Sequence, residues 1–176
     1  MSRSDRQSSA AAARPLRRVQ LSNAVSVTVA ADTDAIWHVV TDVTRIGEWS
    51  RECVGARWLD GATSAVPGAR FRGRNRAGLL RWGRVCEVIS AEPYELVWRT
   101  IPTRAYPDSS EWRLFVAPVD GGSTVHQRFQ VIRAPRVLAV VYAWLVPSHR
   151  DRTRELMDDL RRLGEVASTA RRDHVG

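Results

Sequence analysis

The sequence contains no lysine: all 27 of its basic residues are arginine. We interpret this mainly as the codon bias of a GC-rich genome, since no structural rule forbids lysine at every position. A formal net charge of +8 would ordinarily indicate an acidic partner or surface. Five of the arginines, however, lie in the first 18 residues, so the remainder of the chain is less basic than the total implies.

Cysteine is almost as scarce, with only Cys53 and Cys86 in the chain. Two cysteines are too few for a disulfide framework, and we interpret them as buried free thiols. His126 and His149 lack cysteine, histidine or acidic neighbours at the spacing of metal ligands. The sequence therefore predicts neither a metal site nor a cofactor.

Long apolar stretches are also missing. The longest run, residues 137–146, is about half as long as a membrane-spanning helix requires. The N-terminus has no continuous apolar segment of the kind found in secretory signals. These absences predict a cytoplasmic protein without a transmembrane segment. The run itself contains Tyr142 and suits a lid over a cavity, a dimer contact or a plain core segment.

A length of 176 residues fits one domain with a sizeable core. Residues 1–20 are rich in Ser, Ala and Arg and offer almost no large apolar side chain, which predicts a disordered basic tail. A tether to nucleic acid or to a membrane is the alternative for this tail. We expect a single domain over residues 21–170 and a flexible C-terminus over residues 171–176.

Alternating and helical patterns predict an α+β chain. Val25, Val27 and Val29 alternate with smaller or polar residues, which indicates a half-buried strand. Asp32 and Asp42 each stand where a helix N-cap belongs, so two short helices should follow that strand. Six further strands are predicted, over residues 54–59, 69–75, 79–90, 96–101, 110–117 and 123–131.

The last long element should be a helix over residues 147–170. Apolar residues recur along it at spacings of three and four, namely Leu156, Leu160, Leu163, Ala167 and Ala170. Pro147 suits the first turn of a helix, where its missing N–H is not needed. Such a narrow stripe needs a surface to cover it, so we expect a curved sheet of seven antiparallel strands wrapped around this helix.

Several stretches in this order resemble the START-like or SRPBCC superfamily, and within it the polyketide cyclase/dehydrase family. The matching stretches are residues 34–37 (DAIW), 48–50 (EWS), 68–76 (GARFRGRNR) and 120–124 (DGGST), within a region covering 23–168. The resemblance implies the helix-grip fold of the birch pollen allergen relatives. It also implies a deep apolar cavity for lipids or other hydrophobic small molecules, but no single activity.

Strand parity assigns the two faces of the predicted sheet. On one strand Phe71 lies opposite a row formed by Arg70, Arg72, Arg74 and Arg76. A row of charges cannot be buried unpaired, so Phe71 should face inwards and the arginines outwards. This arginine row is either a solvated face that is partly paired with residues such as Glu87, or an anion-binding stripe.

The same parity predicts which residues line a cavity. With Phe71, the candidate ligand-binding residues are Trp82, Arg84, Trp98, Trp112, Gln127, Phe129, Tyr142, Leu156 and Leu160. Arg84 and Gln127 are polar members of otherwise apolar faces. Each either hydrogen-bonds a structural partner or anchors the polar end of a ligand.

Three classes of function fit these observations. The first is the binding of a hydrophobic small molecule, such as a lipid or a polyketide, between the sheet and the C-terminal helix. The second is an aromatase/cyclase-type enzyme, for which Arg84, Gln127, His126 and Tyr142 are the available polar side chains, although no spacing identifies a catalytic group. The third is a basic module that binds protein or RNA. We expect a small-molecule partner rather than nucleic acid, and a monomer or homodimer.

Overall fold

A computed structural model of the chain describes residues 19–135 and 147–175. The run 137–146 with Tyr142, and all of the predicted tail except Val19 and Gln20, lie outside the described residues. Gln20 contacts the region before the C-terminal helix, because its N–H donates to the carbonyl oxygen of His149 over 2.8 Å. Its side-chain Oε1 accepts from the N–H of Arg152 over 3.0 Å.

The described residues form one curved antiparallel sheet of seven strands, in the order β1-β7-β6-β5-β4-β3-β2. The strands are β1 (Ser22–Val29), β2 (Cys53–Trp58), β3 (Arg70–Ala77), β4 (Leu80–Glu92), β5 (Glu95–Thr100), β6 (Ser109–Val119) and β7 (Gly122–Arg133). From β2 to β7 each strand pairs with the next one along the chain, and β1 pairs with β7, so β1 and β2 are the two edge strands. The predicted α+β class and helix-grip architecture are confirmed.

Two short helices follow β1, as the two aspartates predict. They are α1 (Thr33–Thr41) and α2 (Ile46–Trp49), joined by a 3-10 helix over Val43–Arg45. Asp32 caps α1, since its Oδ1 accepts from the N–H of Asp34 over 2.9 Å. Asp42 caps the 3-10 helix, since its Oδ1 accepts from the N–H of Thr44 over 3.0 Å. These local caps satisfy N–H groups that a helix start leaves without partners.

The C-terminal helix, α3 (Thr153–Val175), differs from the prediction at both ends. It begins at Thr153 because Pro147–Arg150 forms a separate 3-10 helix, and Asp151 Oδ1 then accepts from the N–H of Thr153 over 3.0 Å. It continues past Ala170 to Val175, and the flexibility of the C-terminus stays a prediction. No glycine or proline lies between Ala170 and Gly176 to stop it earlier.

The apolar stripe of α3 is buried against the sheet and α1, as its spacing predicts. The exposed fraction is 3% for Leu156 and 0% for Leu160, Leu163 and Ala167. Ile36 and Val39 of α1 are buried in the same core, at 0% and 1% exposed. The helix thus covers the inner face of the sheet, where the largest apolar side chains lie.

The outer face of the sheet carries the arginine row, and Arg70, Arg72, Arg74 and Arg76 are all exposed. Arg70 Nε donates to Glu87 Oε2 over 3.1 Å, the pairing expected for a solvated face. Two further arginine–glutamate pairs cross this face at 2.7 Å, Arg99–Glu111 and Arg113–Glu95. The row therefore shares its face with acidic partners.

Gly164 sets how closely α3 approaches β1. A Cβ atom at Gly164 would stand 2.6 Å from the Cβ of Val29 and 2.7 Å from its Cγ1. Alanine usually stabilises a helix by about 1 kcal/mol over glycine, but Val29 is β-branched and cannot swing aside easily. The helix itself would therefore have to move away from the sheet.

We expect Gly164→Ala to lower the free energy of unfolding by about 1–3 kcal/mol, as overpacked cores do, in urea denaturation. The neighbouring Glu165 is exposed, and Glu165→Ala should change stability by less than about 0.5 kcal/mol. A Gly164→Ala variant as stable as the wild type would contradict this close packing.

Candidate functional site

A pocket of about 190 Å³ lies between the concave face of the sheet and the start of α3. Its apolar wall is formed by Phe71, Trp82, Trp98, Trp112, Phe129 and Leu156. Trp98, Trp112 and Phe129 are direct register partners on β5, β6 and β7. Trp98 and Trp112 stack with ring centroids 6.2 Å apart, and Trp112 and Phe129 with centroids 4.9 Å apart. Three neighbouring strands thus contribute a continuous stack of rings to one aromatic wall.

Most of the candidate ligand-binding residues line this pocket. Those brought together are Phe71, Trp82, Arg84, Trp98, Trp112, Gln127, Phe129 and Leu156. Leu160 is completely buried in the core and is not part of the lining. Tyr142 lies outside the described residues. That any of these side chains contacts a ligand stays a prediction.

Arg84 has an internal partner that strand parity did not indicate. Its Nη1 lies 2.6 Å from Asp108 Oδ2, and its Nη2 donates to the carbonyl oxygen of Asp108 over 2.9 Å. Its guanidinium also lies 5.4 Å from the centre of the Tyr106 ring. Asp108 and Tyr106 belong to the loop before β6, which therefore neutralises and orients Arg84.

Gln127, the other polar residue on an apolar face, has no comparable partner for its side-chain oxygen among the described residues. Its side chain is only 4% exposed, and its Oε1 has no hydrogen-bond partner among the described residues. It lies on β7 opposite Leu114 and Val25, both apolar and buried. An unpaired buried acceptor costs roughly 1–3 kcal/mol, so Gln127 is an unusual choice for a position that only fills the core.

Three further buried polar atoms lack a partner within the part of the chain that the structure describes: Trp49 Nε1, Asp108 Oδ1 and Arg152 Nε. All three residues line the pocket, as Gln127 does. Unpaired buried polar groups are rare in native proteins, and each one requires an explanation. Here all four atoms belong to residues that line one cavity, so the unused hydrogen-bonding capacity is concentrated around it.

One end of the pocket carries a charged cluster of Glu52, His149 and Arg152. Glu52 Oε2 lies 2.8 Å from His149 Nε2 and 3.0 Å from Arg152 Nη2. Burial is the largest influence on Glu52 and acts to raise its pKa. The hydrogen bond to His149 and the charge of Arg152 act in the other direction and outweigh burial, so the pKa of Glu52 lies below its usual range.

The aromatic wall also contacts His149 and Arg152 of this cluster. The His149 ring packs edge-on against Trp82, with ring centroids 6.1 Å apart. The Arg152 guanidinium lies 5.1 Å from the centre of the Trp112 ring and 5.6 Å from that of Phe129. The two Arg152 contacts are within the range of cation–π attraction, which is stronger away from water.

Asp159 lies on α3 at the edge of the same pocket and is 6% exposed. Its Oδ1 accepts from the N–H of Arg51 over 3.0 Å, and its Oδ2 accepts from the hydroxyl of Ser50 over 3.2 Å. Burial raises the pKa of Asp159 to about 6, and these hydrogen bonds only partly oppose the effect. The carboxyl of Asp159 therefore titrates closer to neutrality than an ordinary aspartate.

His126, one of the polar side chains named for a cyclase-type site, does not line the pocket. His126 is exposed on the outer face, where it hydrogen-bonds Ser26 over 2.7 Å and stacks on Phe115. His149, to which the sequence assigns no role in such a site, lines the pocket beside Glu52. Glu52 and His149 are 97 positions apart in the sequence, so no local spacing could have indicated their contact.

Both cysteines are free thiols, as predicted, although only Cys86 is fully buried and Cys53 is half-buried; both line the pocket. Burial raises the pKa of Cys53 to about 11 and that of Cys86 to about 12. Both thiols therefore stay protonated at neutral pH and are poor nucleophiles. Among the residues that the structure describes, no three His, Cys, Asp or Glu side chains are grouped closely enough to hold a metal ion. Over the same residues, no helix has the length and apolar character needed to span a membrane.

This architecture, with a long helix held against a curved antiparallel sheet above an aromatic pocket, defines the helix-grip class. The profile of the family described as polyketide cyclase / dehydrase and lipid transport matches residues 20–165. The chain therefore belongs to this family of the START-like superfamily. A comparison with functionally curated proteins finds no match.

Solved structures with low sequence identity share the fold. TTHA0849 from Thermus thermophilus is 12% identical with a TM-score of 0.66, over 85% of this chain and 98% of that one. The di-domain ARO/CYC StfQ from the steffimycin biosynthetic pathway is 13% identical with a TM-score of 0.65, over 88% of this chain and 53% of that one. Ara h 8.0201 is 9% identical with a TM-score of 0.58, over 84% of this chain and 97% of that one. At these identities the likeness establishes the fold alone.

Proposed function

We propose that this protein binds a hydrophobic small molecule in the pocket between the sheet and α3. The observation that carries the proposal is the pocket itself, which is lined by an aromatic wall and by residues with buried polar atoms that have no partner among the described residues. Ligand sites typically combine large apolar walls with a few polar groups that fix orientation. A fully packed core would have neither the space nor the unpaired atoms.

The size of the pocket limits what it encloses. An engineered apolar cavity of about 150 Å³ accommodates benzene, whereas sites for drug-sized ligands measure roughly 300–1,000 Å³. At about 190 Å³, this pocket suits one ring or two fused rings. The stacked rings of Trp98, Trp112 and Phe129 favour a flat ligand over a folded aliphatic chain.

Gln127 is the proposed polar anchor, and Arg84 is not. Arg84 is already paired with Asp108, which leaves it little capacity for a ligand. Gln127 Oε1 is buried and can accept a hydrogen bond from a ligand hydroxyl. A hydrogen-bond donor on a neutral, ring-sized ligand would therefore satisfy Gln127.

Matched naphthalene derivatives test the anchor by equilibrium dialysis. We expect wild type to bind 2-naphthol about two- to tenfold more tightly than 2-methoxynaphthalene, because only the former donates a hydrogen bond to Gln127. Gln127→Leu should remove this preference while still binding naphthalene. Arg84→Met is the matched control: it should lower thermal stability through the loss of the Asp108 pairing but retain the preference.

Two outcomes would contradict the proposal. If none of the three compounds binds the wild-type protein, the pocket is not a site for ring-sized ligands. If Gln127→Leu keeps the preference for 2-naphthol, the anchor is a different group.

A polyketide-directed enzyme of the aromatase/cyclase type is the second candidate function. The name of StfQ identifies that protein as a di-domain ARO/CYC, and the present chain belongs to a family described in part as cyclases and dehydrases. The observation that favours an enzyme here is the charged cluster of Glu52, His149 and Arg152 within the pocket lining. A protein- or RNA-binding role receives less support, since the outer arginine row shares its face with glutamates. A cytoplasmic location and a monomeric or homodimeric state stay predictions.

A further inference from the structure

We propose that Glu52, His149 and Arg152 form a proton-transfer site that enolises a small cyclic ketone held in the pocket. His149 is the base that removes the proton next to the carbonyl, Arg152 holds the enolate oxygen, and Glu52 positions both. The inference rests on the proposed binding function, since it needs a ligand in the same pocket.

The contact with Glu52 equips His149 to act as a base. Because Glu52 Oε2 lies 2.8 Å from His149 Nε2, the neutral ring carries its proton on Nε2, and this N–H donates a hydrogen bond to the carboxylate. The other ring nitrogen, Nδ1, then has the lone pair that accepts a proton. The carboxylate also stabilises the imidazolium that forms, as the acidic member of a catalytic triad does. The low pKa of Glu52 supports this role, because it keeps the carboxylate ionised.

Arg152 supplies the matching electrophilic group. Its Nη2 donates to the same Glu52 oxygen over 3.0 Å, while its Nε has no partner among the described residues. The guanidinium lies against the faces of Trp112 and Phe129, so it is held in place beside apolar walls. A fixed cationic donor in such surroundings stabilises a developing oxyanion more strongly than it would in water. A single carboxylate therefore joins the base to the oxyanion donor.

The step needs no oxidant, reductant or cofactor. The C–H bond next to the carbonyl breaks and its proton moves to His149 Nδ1. The electron pair of that bond becomes the carbon–carbon double bond of the enolate, and the carbonyl π pair moves to the oxygen beside Arg152. Return of a proton from His149 to the carbon regenerates the ketone. In heavy water the imidazolium exchanges with solvent, so each cycle replaces a hydrogen by deuterium.

The probe is 2-tetralone, a two-ring ketone of about the same size as 2-naphthol. Incorporation of deuterium next to its carbonyl is followed by NMR in heavy water. We expect wild type to exceed the buffer rate, and His149→Ala to lose about 100-fold or more of that excess, the usual scale of general base catalysis. Added imidazole should restore part of the lost rate. His126→Ala, on the outer face, is the control and should exchange at the wild-type rate.

Glu52 is a positioning residue, and its test separates positioning from folding. Glu52→Gln should slow exchange about tenfold or more while 2-naphthol binds with unchanged affinity, whereas Glu52→Asp should recover part of the rate. A purely structural role predicts the reverse, with affinity and thermal stability falling and exchange unchanged per bound protein.

Three further outcomes would each contradict a specific part of the proposal. A wild-type rate equal to that of buffer, with 2-naphthol still bound, overturns the proton-transfer site and leaves the binding function standing. An unchanged rate in a folded His149→Ala variant overturns the assignment of the base. Failure of wild type to bind 2-naphthol, 2-methoxynaphthalene or naphthalene removes the binding function, and the inference falls with it.

Discussion

A charge on the buried face of α3 should unfold the protein or nearly so. Leu160 is 0% exposed and belongs to the core that joins α3 to the sheet and α1. In Leu160→Asp, the new carboxylate would be buried without a partner, which costs on the order of several kcal/mol. The whole stability of a domain is only about 5–15 kcal/mol. We therefore expect loss of the cooperative transition in urea denaturation, or a midpoint shifted far downwards.

The adjacent residue provides the control. Arg161 is exposed and forms a surface pair with Asp158 at 2.8 Å, so Arg161→Asp replaces an attractive surface pair by a repulsive one, at a cost of about 1 kcal/mol or less. Its unfolding midpoint should stay near that of the wild type. Equal midpoints for Leu160→Asp and Arg161→Asp would mean that the buried face of α3 is assigned incorrectly.

A variant without the buried carboxyl of Asp159 should be more stable than the wild type at neutral pH. The pKa of Asp159 rises from an ordinary 3.8 to about 6 on folding, mainly through burial. The folded state thus binds this proton more tightly than the unfolded state does. The resulting stability is fully present below about pH 4 and is lost as the pH rises through about 6. One pKa unit corresponds to about 1.4 kcal/mol, so the loss is on the order of 2–3 kcal/mol.

Asp159→Asn keeps an oxygen to accept from the N–H of Arg51 and carries no charge. We expect its stability relative to wild type to increase between about pH 4 and pH 6 and to level off above, by up to about 2–3 kcal/mol. Denaturation at a series of pH values measures the difference. Asp158→Asn is the control, since Asp158 pairs with Arg51 and Arg161 at the surface and its loss should not stabilise the protein. A difference between Asp159→Asn and wild type that does not vary with pH would show that the carboxyl titrates normally.

Asp159 and Leu160 are neighbours on α3, but their side chains lie in different environments. Leu160 turns into the core, whereas Asp159 reaches the residues after α2 and the edge of the pocket. Both positions are buried, and only the hydrogen bonds from Ser50 and Arg51 make a carboxyl tolerable at the second. One turn of α3 therefore contributes a side chain to the hydrophobic core and another to the edge of the pocket.

Much of the fold was predictable because its signals are local. The alternation of Val25, Val27 and Val29 depends on neighbours two residues apart, and the caps at Asp32 and Asp42 on N–H groups two residues further on. The inner faces of the strands follow from the same parity, which is why the aromatic wall of the pocket was among the predicted residues. The start of α3 was not predictable to this degree, because both a first helical turn and a separate 3-10 helix accommodate Pro147.

The polar half of the site depends on contacts between distant residues. Arg84 meets Asp108 across 24 positions, and His149 meets Glu52 across 97. Parity showed that Arg84 and Gln127 share apolar faces but could not show that one has a partner and the other does not. His126 and His149 are equally isolated in sequence, yet one lies on the outer face and the other in the pocket.

By itself, the sequence determined the strands, their inner and outer faces and the buried stripe of the last helix. Each of these depends on the pleat of a strand or the turn of a helix, within two to four residues. The tertiary structure alone decided which polar side chains meet, which buried atoms are left without a partner and where the pocket lies. Those properties depend on the curvature of the sheet and the distance at which α3 packs on it, and Gly164 sets that distance through a contact with Val29, 135 positions earlier in the chain.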